Sequence, residues 1–289
     1  AQAATKRFGK STVNLNRKLK KLGGSMTKMG KSMSMSLTAP LAAMGGLAVK
    51  TFADFEQEMA KVKAVSGATG KEFKALEKLA QDLGGSTRFT ASEVAALQLN
   101  YSKLGFVPAE IQKITGATLN LALASGEDLA NSAEVAGATL RGLKIDVAEM
   151  PRVVDVMAAS FSSSALDLEA FRESMKLVAP TAKATGRDLE TTTAMLGILA
   201  NNGIKGSMAG TQLNRVFIEL NKKGLTLEQA LDKVANSSNG LSTATDLVKD
   251  RGAKALLILA EQREELGTYH QSLQNVKGSA KSMAAIMDN

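Results

Sequence analysis

Apolar residues recur at helical spacing near the start of the chain. Leu15, Leu19, Leu22, Met26, Met29 and Met33 are separated by steps of 4, 3, 4, 3 and 4. That is the heptad rhythm of a coiled-coil seam. After a gap it resumes at Leu41, Met44, Ala48, Phe52, Phe55, Met59 and Val62, with steps of 3, 4, 4, 3, 4 and 3. Thr38-Ala39-Pro40 lies in the gap. Proline lacks the N–H that a helix interior needs but fits a first turn, and threonine caps the turn before it. Residues 1–66 are therefore predicted to be an amphipathic helical arm with a break near 37–40. A lone helix does not bury such a stripe, so its residues are the candidate oligomer seam.

Beyond "VSGATG" (65–70) the pattern changes to shorter periodic runs with repeated start and stop signals. Thr90 with Glu93 three residues on forms a capping box. "SGEDLANSAEV", "SALDLEAF", "TGRDLETTT" and "KGLTLEQAL" each place Gly, Ser, Thr or Asp ahead of an apolar run, and the first and third share G-x-D-L. "KLGFVP", "LRGLKI" and "ANNGIKG" each place Gly where a helix would end in the left-handed conformation. No run alternates with period two for long enough to make a strand. The expectation is an all-α chain. A basic coiled-coil-like arm (1–66) precedes an array of short packed helices (67–265). A C-terminal helix (266–289) continues toward further sequence. About ten helices are expected in all. In "GIKGSMAG", Gly203, Gly206 and Gly210 read as a structural turn that brings two helices close.

Composition supports this and removes most chemistry. There is no Trp or Cys, and there are two Tyr, nine Phe and four Pro, which suits closely packed helices and not a β-sandwich. Without Cys there are no disulfides, thiolate nucleophiles or Cys-ligated zinc. His270 is the single histidine and builds no multi-histidine metal site. A phosphate loop needs Gly five residues before its Gly-Lys-Ser. Gly30-Lys31-Ser32 has Ser25 there, and Gly9-Lys10-Ser11 has Ala4. An anion on the helix start after "GIKGSMAG" is the rival to the structural turn. Acidic pairs such as Glu127-Asp128 and Glu264-Glu265 fall at helix starts, where carboxylates are common. No catalytic, cofactor-binding or metal-ligating residue is assigned, and the chain is not read as an enzyme.

Charge is uneven. Residues 1–50 hold ten Lys or Arg and no Asp or Glu, whereas 51–289 hold 26 basic against 28 acidic. A basic arm meets DNA, an anionic membrane or an acidic protein surface. Phe8 is its one aromatic, so a DNA reading rests on charge alone. Residues 32–49 carry no charge, yet they include Ser, Thr, Pro and Gly and fall short of the ~20 apolar residues of a spanning helix. The basic stretch is far too long for a signal peptide.

Six blocks, in order, resemble the core region of phage tail tape-measure proteins, the minor tail protein family. They are "MSLTAPL" (35–41), "KTFADFEQEMAKVKAVSGAT" (50–69), "LGGSTRFTASEVA" (83–95), "LGFVPAEI" (104–111), "LALASGEDLANSAEVAGATLRGL" (121–143) and "TGRDLETTTAMLGILANNGIKGSMAGTQLNR" (185–215). The stretch Gly206 to Arg215 is among the most specific. The resemblance implies a structural virion protein, assembled in the host cytoplasm and lying in the tail-tube lumen. It would template tail length, anchor at the tail tip and leave through the tail at infection. The implied partners are further copies of itself, with a trimer favoured, tail-tube proteins and tail-tip or baseplate hub proteins. Host membrane and DNA are implied contacts during ejection. Such proteins are much longer than 289 residues. With a start at Ala1 and a helical finish, this chain reads as a segment of something longer. The alternatives are a membrane-active helical protein and a basic DNA-compacting protein.

Overall fold

The computed structural model describes residues 52–287. The seam from Leu15 to Met44, the break near 37–40 and both Gly-Lys-Ser triplets lie outside the described residues. A compact unit begins at Phe55. Among the described residues there are helices and links and no strand, so the fold is all-α.

The helices are α1 (52–66), α2 (Gly70–Ser86), α3 (Ala91–Lys103), α4 (Pro108–Ser125), α5 (Leu129–Leu143) and α6 (Met150–Ser163). They continue with α7 (Leu168–Ala184), α8 (Leu189–Asn201), α9 (Gly206–Lys222), α10 (Leu227–Ala235) and α11 (Gly240–Glu261). The last two are α12 (Arg263–Gln274) and α13 (Ser279–Met287). A short 3-10 turn, Val147–Glu149, precedes α6.

Six of the described helices start where a short polar side chain takes a free N–H of the first turn. Asp128, Asp167 and Asp188 accept from Asn131, Ala170 and Thr191, and Thr226 and Asn239 do the same for α10 and α11. Each such cap contributes about 1 kcal/mol. The capping box at α3 is complete: Thr90 Oγ1 accepts from Glu93 N at 3.2 Å, and Thr90 N donates to Glu93 Oε2 at 2.7 Å.

The G-x-D-L repeat is a device for reversing the chain. Gly126 and Gly186 each close a helix at φ 73, and Asp128 and Asp188 two residues later open the next. Such tight links turn successive helices back on one another. Two rows result, because helices two apart in sequence pack side by side. One row is α3, α5, α7, α9 and α11, and the other is α4, α6 and α8. This is the stacking habit of helical-repeat proteins. The chain then doubles back. α12 packs on α8, and α13 packs on α4 and α6, so the last two helices cover the second row.

One stop signal needs correction. In "LRGLKI" the helix does not end on Gly142. It runs on to Leu143, and Lys144 takes the left-handed conformation at φ 51. Gly142 serves packing instead: an added Cβ would lie 3.0 Å from the Cβ of Ala179 on α7. In "KLGFVP" and "ANNGIKG" the expected residues, Gly105 and Gly203, do hold positive φ.

Candidate functional site

The block from Gly203 to Arg215 forms the turn into α9 and the first half of that helix. Gly203 (φ 76) ends the α8 segment and Gly206 (φ 58) opens α9. One turn on, Gly210 faces the backbone of Ser174 on α7, and an added Cβ would stand 2.6 Å from the Ser174 carbonyl oxygen. No real Cβ sits so close to backbone, so the two helices cross at main-chain distance. Ser174 Oγ donates to the Gly206 carbonyl at 2.8 Å and locks the crossing. Ser207 Oγ donates to Glu173 Oε2 at 3.2 Å on its outer side.

Further along α9, Arg215 of the block pairs within its own helix, while Gln212 Oε1 and Asn214 Oδ1 have no hydrogen-bond partner among the described residues. Arg215 Nη2 lies 3.4 Å from Glu219 Oε1, and Lys222 Nζ lies 3.0 Å from the same oxygen. Glu219 is buried. Its bond from Lys222, with Arg215 and Lys249 nearby, holds its carboxyl below the usual carboxylate range. Lys249 stands in an unusual backbone position, φ 65 and ψ 170, which breaks α11 in mid-course. On α7, Arg172 gathers Glu169, Glu173 and Glu134. On α6, Arg152 holds Glu149 and the buried Glu190.

A second set of residues seats the doubled-back helices, and the sequence carried no signal for it. Asp155 on α6 is 7% exposed. Its carboxylate accepts from Gly278 N at 2.7 Å and Ala280 N at 2.9 Å, which caps α13 from another helix. Tyr269 of α12 lies on Gly197 of α8, where an added Cβ would be 2.5 Å from the ring. Its hydroxyl donates to Ser160 Oγ at 3.0 Å. His270 Nε2 meets Thr191 Oγ1 at 3.2 Å in the same contact. The single histidine is thus placed between two helices.

Of the candidate seam, Phe52 is 60% exposed, while Phe55, Met59 and Val62 are buried among the core residues. Leu15, Leu19, Leu22, Met26, Met29, Met33, Leu41 and Met44 are outside the described residues. Among the described residues, no group of three His, Asp or Glu converges as metal ligands. No described helix is long and apolar enough to cross a membrane.

A close-packed helical stack whose most distinctive motif is spent on a helix crossing is a structural element, and its relatives are structural proteins of the phage tail. Residues 77–289 match the family described as phage-related minor tail protein, and the chain belongs to it. It is 31% identical to the tape measure protein of Pneumococcus phage Dp-1, over 93% of this chain and 26% of that one. It is 27% identical to the "probable tape measure protein" of Escherichia phage P2, over 92% of this chain and 33% of that one. The chain thus spans about a quarter to a third of the length of these curated relatives. No solved structure matches it.

Proposed function

We propose that this chain is the anchoring segment of a tape-measure protein. It docks against a tail-tip or baseplate hub component and holds the protein in the lumen of the tail tube, while extended helix elsewhere sets the length. The observation that carries this reading is compactness. A helix rises ~1.5 Å per residue, so even one straight helix of this chain would reach only ~430 Å. Here the residues from Phe55 on are folded into short helices that reach far less. The two relatives named tape measure proteins leave most of their own length for another task. In this reading the N-terminal arm gathers copies of the chain, with a trimer favoured, and assembly takes place in the host cytoplasm.

In-frame deletion separates anchor from ruler. Removing residues 70–265 should abolish normal tails. Removing the same length of extended helix elsewhere should give intact tails, shorter by ~1.5 Å per residue in electron micrographs. Viable, proportionately shortened tails after the first deletion would make this region ruler and not anchor.

A further inference from the structure

Three arginines are half-buried among the described residues: Arg172, Arg187 and Arg215. Arg172 is ringed by three glutamates and Arg215 is paired with Glu219. Arg187 has neither an ion pair nor a side-chain hydrogen bond among the described residues, and its Nε is out of contact with solvent and without an acceptor. A guanidinium carries five donors in a rigid fork; here Nε alone is shut off from solvent, and the two terminal nitrogens are accessible and without a partner among the described residues. Arg187 is the variable residue of the second G-x-D-L link, between Gly186 and Asp188.

The fork lines a cavity of about 180 Å³ between that link and the turn from α9 to α10. Phe217, Leu220 and Leu225 supply its apolar wall. Asn221, whose amide has no partner among the described residues, also lines it. Lys183 and Lys223 flank the lining segments, while Lys222 is bonded to Glu219 and Asp188 follows Arg187 directly. Glu228 senses Arg187 electrostatically but forms no ion pair with it.

We infer that this cavity is a socket for the carboxylate side chain of an acidic residue on a protein partner, with the methylenes against Phe217 and Leu225 and the oxygens on Arg187 and Asn221. The size agrees, since an apolar cavity of about 150 Å³ already takes up benzene. The chemistry agrees, since the guanidinium fork matches a carboxylate. A nucleic-acid backbone would call for a track of cations and stacking rings. A single concave pocket with one arginine offers neither. The inference stands on this cavity alone and does not depend on the anchoring role.

The test uses the full 289-residue chain and the NMR signals of Phe217, Leu220 and Leu225. The probes are a capped Ala-Glu-Ala peptide, its Ala-Gln-Ala counterpart and a short DNA duplex. The glutamate peptide should shift these signals, and the glutamine peptide should bind at least about tenfold more weakly, the ratio expected for one charge-assisted bond. Arg187→Gln should remove the response without lowering the melting temperature. Asn221→Asp should weaken binding, and Glu228→Gln should strengthen it. Equal response to both peptides, undiminished binding by Arg187→Gln, or shifts with DNA alone would each overturn the socket.

Discussion

Gly210 of α9 lies against the carbonyl of Ser174 on α7, with 2.6 Å between that oxygen and any Cβ placed at 210. Replacing Gly210 by Val must push the two helices apart. The expected loss is about 1–3 kcal/mol, read as a lower denaturation midpoint. Gly116 in α4 has nothing within 4 Å of such a Cβ. Gly116→Ala should therefore stabilise by about 0.5–1 kcal/mol through helix propensity and unfolded-chain entropy. Equal effects at the two sites would show that the crossing is not held at main-chain distance.

Lys144 and Gly203 test the left-handed links from opposite directions. Lys144 carries a side chain at φ 51, so Lys144→Gly should stabilise by about 1 kcal/mol. Gly203→Ala, at φ 76, should destabilise by a similar ~1 kcal/mol. Chemical denaturation of both variants beside the parent chain decides the sign of each.

Asp155 should govern the C-terminal helix more than the rest. Asp155→Ala leaves the Gly278 and Ala280 N–H groups without their acceptor, a loss of about 1–3 kcal/mol. Amide exchange should quicken across 278–287 first, with α7 and α9 little changed. Uniform acceleration would mean that α13 is not a separable unit.

Glu219 gives the α9 region an acid sensitivity. Its pKa is depressed in the folded chain, chiefly by the Lys222 bond, so its contribution is present above the ordinary carboxylate value of about 4.3. It fades as pH falls through the lower folded value. Glu219→Gln should thus be less stable than the parent at pH 7, and the gap should close as the pH drops below about 4. A gap that persists unchanged in acid would assign the effect to packing.

For the arm, we expect self-association through the seam. Changing Leu19 and Leu22 to Asp should weaken it, seen as a lower mass in light scattering, and leave the helical content of 70–265 intact. A parent chain that is monomeric at high concentration, with its arm helical, would count against the seam.

Much of the fold was legible because it is written locally. Thr90 with Glu93, Asp128, Asp188 and Thr226 announce helix starts by chemistry that acts within four residues. The turn at Gly203 could be read for the same reason. What stayed hidden depends on residues distant in sequence. Nothing beside Asp155 says that it caps a helix more than a hundred positions on, and nothing beside Gly197 says that Tyr269 will cover it. The heptad steps through Phe55, Met59 and Val62 mark an apolar stripe correctly, but periodicity does not say what covers it. Here those three side chains are buried in their own chain's core. Gly142 misled because a glycine near a helix end signals either a stop or a close neighbour, and Ala179 is that neighbour.

The doubling-back of α12 and α13 bears on how the chain is made. α13 rests on α4, although all of α5 to α12 lies between them in sequence. On a ribosome every helix of the two rows can emerge and stack in order, yet the face of α4 and α6 stays uncovered until residues 278–287 leave the exit tunnel. A nascent chain stalled before that point should be cut readily by protease, and one released past it should resist. Closure of this helical unit thus waits on residues 278–287.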